Sequence, residues 1–525
     1  MTTTHTAPAA EYHDYTQAQR WIILLAVMLG TLMTVVDGSI VNVAIPSMMG
    51  NLGATLSQIS WVSTGYIIAN VIMLPLTGWF SARFGRKYFL ASSMILFTVA
   101  SLLCGLASSL PALIIFRIMQ GAGGAALLST SQATMMEIFP PQQLGMVQAI
   151  YGIGVMVGPT VGPTLGGWLT DNYNWPWIFL INLPIGIVAT ILTIMFVHDS
   201  KHQRRSNVRI DFIGIALLAI GLGCLQMFLE KGNDEGWLTS NYICILIAFA
   251  ISALLAFVIW ELRTPNPAVN LRILKNRGFA AGTVYATVLG VGLYGGIFIL
   301  PVFLQQLRSY TAMQTGLIML PGAIATTIAM PIVGKLIGKF PARNMVAIGA
   351  LAFVVSMFML RNLTMDTGPE QMFWPLVLRG ASMGFLFVPL TLATLLGLKG
   401  REIGEGTGLY NLARQLGGSA GIALLTTFLD HRTAFHRAAL IERISMYNPL
   451  ATQRLAMLQQ FFHAKGATLA TAGQQALATI NGIIQGQATV LAFEDAFLFI
   501  GGIFVIAMPL LLLFKRSSGD EVNAK

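Results

Sequence analysis

Residues 74–87 read LPLTGWFSARFGRK, and residues 330–343 read MPIVGKLIGKFPAR. The second stretch repeats the first at an offset of 256 positions, matching Pro75 with Pro331 and Gly78 with Gly334. Further pairs follow at an offset of 259: Gly121-Ala122 with Gly380-Ala381, and Tyr151, Gly158 and Gly162 with Tyr410, Gly417 and Gly421. The chain therefore carries two copies of one unit, and composition says what the unit is made of. Of 525 residues, 55% are hydrophobic and 10% charged, with a mean hydropathy of +0.71; soluble domains carry about 25% charge. The reading is a polytopic membrane protein.

Runs of about 20 apolar residues are needed to cross a ~30 Å hydrocarbon core. Such runs lie near 21–45, 58–80, 88–109, 111–136, 145–169 and 177–197. Two more fall at 211–229 and 241–261, and six at 279–303, 314–337, 344–360, 373–397, 406–428 and 492–514. The expectation is an all-α protein of fourteen transmembrane helices, two six-helix repeats with two helices inserted between them. Its parts would be a tail 1–20, a bundle 21–197, a linker 198–277 with the inserted pair, a second bundle 278–514, and a tail 515–525. The first span is too long for a signal-peptide core and no small-residue cleavage site follows it, so it is expected to stay as an anchor.

Charge orients the spans. With both termini in the cytoplasm, cytoplasmic segments hold 20 of the 31 Lys and Arg, among them Arg83, Arg86, Lys87, Lys201, Arg204, Arg205, Arg209, Arg263, Arg272, Lys275 and Arg277. The short outer loops hold three: Lys231, Arg308 and Arg361. That asymmetry is the positive-inside pattern. Residues 430–490 carry five more on the outer side, but long loops translocate largely regardless of charge. This segment reads as an outer helical hairpin, because TQRLAMLQQFFHAKG and TAGQQALATINGIIQGQA are mixed in character and not continuously apolar. The net charge of +10 is explained by topology and not by a nucleic-acid partner. Cys104, Cys224 and Cys244 fall in apolar runs without metal-like spacing, so no metal site and no disulfide framework is expected.

Five stretches carry a family resemblance: VVDGSIVNVAIP (35–46), GWFSARFGRK (78–87), FRIMQGAGGAAL (116–127), GVMVGPTVGPTLGG (154–167) and WIFLINLPIG (177–186). Together they resemble the major facilitator superfamily, and within it the fourteen-span drug:proton antiporters of the EmrB and QacA type. The resemblance covers nearly the whole chain. It implies the major facilitator fold, a secondary transporter and not an enzyme, and alternating access by rocking of the two halves. Proton-coupled efflux of hydrophobic or amphipathic drugs across the inner (plasma) membrane is the implied activity; the alternatives are a narrow-substrate proton-coupled exporter or importer. A non-transporting receptor is disfavoured by the duplicated halves and buried charges. No cofactor is implied, since the proton gradient supplies the energy. A periplasmic adaptor and an outer-membrane channel are implied partners, docking on 430–490, for which a plain solvated loop is the alternative. Glycine-rich stretches within spans lack the strand that a phosphate loop requires, and no Walker lysine, hydrolase elbow or HExxH occurs.

Within the fifth span Gly154, Gly158, Gly162 and Gly166 recur every fourth residue, followed by Gly167, and form a stripe that admits a close neighbour. Pro159 and Pro163 bend it. The combination resembles the family's antiporter motif, whose implied role is a hinge and seal between the halves. After the second span, Gly78, Arg83, Gly85, Arg86 and Lys87 match the cytoplasmic loop signature. The usual aspartate is replaced by Ala82, and Gly338 stands in the mirrored loop, so the latch attributed to that acid does not carry over.

Charges inside spans are expensive and mark cavities or partners. Asp37 is about 25 Å beyond Arg20 along a rising helix, and Arg117 about 9 Å below Pro111 on a descending one. Both fall in the outer half of the bilayer, facing one cavity where they can pair; the alternative is two separately satisfied polar residues. Asp37 is the candidate proton-coupling acid. Asn42, Gln120, Arg379 and Arg414 complete the expected cavity, with Arg379 aligned to Gln120 and Arg414 to Val155 across the repeat. The mirror position of Asp37, near Leu293, has no acid. Glu137 falls near the inner end of the fourth span. Asp211, Glu494 and Asp495 read as acids that open helices and complement the dipole. The 26 Met and 30 Phe permit an adaptable apolar pocket.

Overall fold

The computed structural model describes residues 15–198, 211–398, 400–442, 444–445 and 447–513. The basic cluster Lys201, Arg204, Arg205 and Arg209, the tail 515–525 and most of the tail 1–20 lie outside the described residues. Helix accounts for nearly all the rest, and no strand is present among the described residues beyond one isolated bridge between Ile337 and Phe340.

The first unit comprises α1 (Gln17–Leu52), α2 (Leu56–Phe84), α3 (Arg86–Gly105), α4 (Leu110–Ile138), α5 (Pro141–Asn172) and α6 (Trp177–Phe196). The inserted pair is α7 (Phe212–Lys231) and α8 (Asn241–Arg263). The second unit comprises α9 (Arg277–Gln306), α10 (Ala312–Leu336), α11 (Ala342–Met359), α12 (Pro369–Leu395), α13 (Arg401–Glu442), the short α14 (Pro449–Ala464) and α15 (Leu469–Ala507). Local chemistry sets the ends. Thr16 and Gln19 form a capping box on α1, as Thr311 and Gln314 do on α10. Pro75 sits in a 3-10 turn that interrupts α2, since proline supplies no donor there.

Thirteen helices among the described residues are long and apolar enough to cross a membrane. The other expected span, 406–428, lies inside α13, whose centre carries Asn411, Arg414 and Gln415. Those residues lower its hydropathy, yet its 42 residues give about 63 Å of helix, twice what a bilayer core needs. The surplus forms a hairpin with α14 and the first turns of α15.

Here the expected boundaries change. The last span does not begin at 492: residues 471–488 and 492–507 are one helix, capped at Thr468. Glu494 and Asp495 are thus in mid-helix and not at an N-terminus. Asp495 instead accepts from Arg432 Nε at 2.6 Å, with His436 Nε2 at 2.7 Å from the same oxygen, tying α15 to α13. Asp211 does cap α7, accepting from Gly214 N at 2.9 Å, and it also receives Trp260 Nε1 from α8.

The duplication reappears in the packing. In the first unit α1 lies along α5 and α6, and α4 along α2 and α3; in the second, α9 lies along α13 and α15, and α12 along α10 and α11. A Cβ on Gly121 would collide with the Tyr66 carbonyl of α2, and a Cβ on Gly380 with the Gly322 carbonyl of α10. The repeated glycine therefore marks one repeated helix crossing. Between the units, α5 runs against α10 and α2 against α13.

Candidate functional site

Asp37 and Arg117 are 0% and 1% exposed. Arg117 Nη1 donates to Asp37 Oδ2 at 2.5 Å and to Gln120 Oε1 at 2.7 Å, while its Nε donates to the Val62 carbonyl at 3.1 Å. Gln120 Nε2 donates to Asp37 Oδ1 at 2.8 Å, and Asn182 Nδ2 to the same oxygen at 3.2 Å. Both amides also donate to Ser101 Oγ at 3.0 Å. The guanidinium lies 4.1 Å from the centroid of the Tyr66 ring. Five elements build this cluster: α1 brings the acid, α4 the arginine and glutamine, α3 the serine, α6 the asparagine, and α2 the Val62 carbonyl and the Tyr66 ring.

Position on the helices explains the convergence. Arg117 and Gln120 are three residues apart and share a face of α4. Gly124 on the next turn of that face is tightly enclosed: a Cβ there would stand 3.0 Å from Tyr66 Oη and from Thr34 Cγ2 of α1, which would have to give by a few tenths of an ångström. A buried ion pair repays its desolvation only when its remaining lone pairs and protons are satisfied. Asp37 meets that condition as a carboxylate, with donors on both oxygens. A proton added to Oδ1 would displace the Gln120 or Asn182 amide, and one added to Oδ2 would weaken the bond from Arg117, so its charge state and the contacts among α1, α4 and α6 are linked.

The other expected residues divide. Asn42 is apart from this cluster, exposed and accepting from Ser63 Oγ at 3.3 Å. Arg379 donates to the Gly296 carbonyl at 2.7 Å. Arg414 is 1% exposed, with its guanidinium 5.3 Å from the Phe387 ring centroid and a buried Nη1 that has no hydrogen-bond partner. Neither arginine has a carboxylate within ion-pair distance among the described residues. Tyr294 of α9 donates to Gln415 Oε1 at 3.1 Å, and the Tyr151 ring of the first unit stacks on Phe387 of the second with centroids 6.5 Å apart, so the two units meet at an aromatic-lined centre.

The glycine stripe of α5 turns toward α1 within its own unit. A Cβ on Gly158 would stand 2.8 Å from Val35 Cγ1, one on Gly166 2.7 Å from Ile40 Cγ1, and one on Gly162 would collide with Ser39 Oγ. Gly154 meets Met28 in the same way, and Pro159 and Gly167 are buried beside them. Pro163 is half-buried on the same helix. Contact between units is left to another face of α5, where Gly145 meets Gly334 and Gly152 meets Met330. The stripe thus packs on the Asp37 helix, and the close contacts with the second unit fall to Gly145 and Gly152.

At the expected cytoplasmic end, Gly78 lies so close to α13 that a Cβ would be 2.7 Å from the Glu405 backbone. Gly85 has φ +90°, which reverses the chain between α2 and α3. Arg86 is buried and pairs with Glu137, so an acid on α4 faces this loop where Ala82 provides none. Arg83 and Lys87 are half-buried at the same end. Tyr66, Ser101 and Asn182 are the members of the site that sequence reasoning missed. Asn182 had a signal, as the one amide in an apolar run.

Comparison with known proteins agrees with this architecture. The family model described as Major Facilitator Superfamily matches residues 27–422. "Multidrug export protein EmrB" of Escherichia coli (strain K12) is 36% identical over 96% of each chain. The Haemophilus influenzae protein of that name is 37% identical, covering 92% of this chain and 94% of that one. "Fatty acid resistance protein FarB" of Neisseria gonorrhoeae is 33% identical over 95% of this chain and 96% of that one. Among solved structures, the proton:xylose symporter XylE superposes with a TM-score of 0.60 at 14% identity, covering 96% and 98% of the two chains. Human organic anion transporter MFSD10 gives 0.59 at 14% identity, covering 94% and 99%. The duplicated helical units and the near full-length relatives lead to one conclusion: this chain is a multi-pass membrane transporter that belongs to the Major Facilitator Superfamily, in its EmrB-type branch.

Proposed function

We propose that this protein exports hydrophobic or amphipathic drugs in exchange for protons, by alternating access between its two units. The observation that carries the reading is the buried Asp37–Arg117 pair held by Gln120 and Asn182. It is supported by EmrB-named relatives similar along nearly the whole chain. Asp37 takes up a proton from the outside, Arg117 loses its counter-ion, and the contacts that fix α1 against α4 and α6 rearrange; return of the proton to the cytoplasm resets them. The energy comes from the proton gradient, without a cofactor. Arg414 and Tyr294 contribute the second unit's polar surface to the drug path.

The chain acts in the inner membrane with both termini in the cytoplasm, in keeping with the distribution of Lys and Arg between its connecting segments. Cells expressing it should resist a panel of apolar drugs, and a proton uncoupler should abolish accumulation differences between expressing and control cells. Uncoupler-insensitive efflux would overturn the coupling.

The outer hairpin serves as the dock for a periplasmic adaptor that leads to an outer-membrane channel. Tyr447, Leu450, Met457, Phe461 and Leu469 are exposed apolar residues along it, a composition suited to a protein partner. Replacing Leu450, Met457 and Phe461 with serine should reduce adaptor co-purification and leave drug transport in vesicles intact; unchanged co-purification would remove the dock.

A further inference from the structure

Glu230, in the last turn of α7, is a carboxyl that the Asp37 site does not use. Its Oε1 lies 2.5 Å from Thr64 Oγ1 of α2, and its Oε2 is buried with no hydrogen-bond partner. Thr64 is fully buried, and its hydroxyl is also 3.0 Å from the Ser60 carbonyl one turn earlier. A threonine hydroxyl has one hydrogen, and a carbonyl has none to give. That hydrogen can go to Glu230 Oε1 or back to the Ser60 carbonyl, as helical threonines do; in the second case the 2.5 Å contact joins two oxygens. Only Glu230 can then supply the hydrogen between them.

The same turn bridges the two units. Toward the second unit, Gln226 Nε2 donates to Ser419 Oγ at 3.0 Å. Just beyond it, Trp237 Nε1 donates to Thr427 Oγ1 at 2.9 Å and Asn233 Nδ2 to Asp430 at 2.8 Å, all on α13. Toward the first unit there are two contacts from this turn, Glu230 with Thr64 and Lys231 Nζ with Ser60 Oγ at 2.8 Å. The charged groups that act on Glu230 are Lys231 and Asp234, both on its own segment. From α2 it meets the Thr64 hydroxyl, and α13 presents Ser419, Thr427 and Asp430 to the same bridge. Rocking of two units against each other requires such a bridge to open or travel with one of them.

We propose that Glu230 carries a second exchangeable proton, which it donates to Thr64, and that this proton decides whether the inserted helices hold the first unit. Loss of the proton to outside water leaves a carboxylate whose Oε1 faces a hydroxyl committed elsewhere and whose other neighbouring amide, Gln226, is shared with Ser419 of α13. The carboxylate turns toward solvent, and α7 stays with α13 as the first unit moves. This rests on the proton-coupled export proposed above, and it gives the inserted pair a part in coupling.

Nitroxide labels at the exposed Leu56 and Leu238, with Cys104, Cys224 and Cys244 replaced by serine, read the distance between the first unit and the inserted pair in the full-length protein. The distance should lengthen as pH rises. Glu230→Gln, whose amide donates to Thr64 at every pH, should hold the short distance throughout while the purified protein remains monodisperse. Thr64→Val, a second variant without the hydroxyl, should also lose the response. A distance in the unsubstituted background that ignores pH, or a pH response retained by both variants, would overturn the proposal. Drug–proton exchange measured in parallel separates the two readings: a protein that exchanges no protons refutes the export reading and leaves the distance result as it stands.

Discussion

Arg117 and Asp37 are each costly alone and affordable together. Taking one charge away leaves the other buried without a partner, at a cost of about 3–5 kcal/mol, whereas replacing both with uncharged groups of similar shape is close to neutral. Asp37→Asn and Arg117→Gln should therefore each lower stability by roughly that amount, and the double variant should recover most of it. Thermal unfolding in detergent checks this, and a double variant as unstable as the sum of the singles would contradict it. This pair was legible in the sequence because depth along a helix is arithmetic, so two charges could be assigned compatible heights. Ser101 and Tyr66 were not legible. Serine and tyrosine are common in spans, and nothing in the chain shows which face of α2 or α3 turns toward α1.

At the scale of the helix, α5 shows what a spacing does and does not say. Four glycines at every fourth position predicted a close neighbour, and α1 is that neighbour, as Gly162 against Ser39 shows. Which helix fills such a stripe is a tertiary property, and the contacts between units are made instead at Gly145 and Gly152. Gly162→Val should cost about 1–3 kcal/mol through overpacking, and Ser39→Gly in the same chain should restore part of it. The midpoint of unfolding measures both, and an unchanged midpoint for Gly162→Val would remove the contact from the account. The last helix teaches the reverse. Hydropathy locates where a helix enters the bilayer, and residues 471–488 are too polar to be inside. Hydropathy carries no signal that the helix ends there, and α15 continues through, placing Asp495 against Arg432 and His436.

For the molecule as a whole, the repeat at 74–87 and 330–343 predicted two units, and the packing pairs recur as two units. One span, in α13, is less apolar than the others for a physical reason. α13 lies between the units, where Asn411 donates to Gln132 of α4 at 2.8 Å and Arg414 reaches the centre, so its polar residues need not face lipid. The inserted pair was legible as two apolar runs but not as a bridge, because its bonds to α2 and α13 span more than 160 residues of chain. In the proposed mechanism, alternating access built on this frame couples a proton at Asp37 to movement of whole units. The most direct measurement is proton flux in proteoliposomes loaded with a pH-sensitive dye, upon addition of a transported drug. The account predicts drug-driven proton movement for the wild-type protein and its loss in Asp37→Asn, with drug binding retained. Undiminished drug-driven proton movement in Asp37→Asn would contradict it.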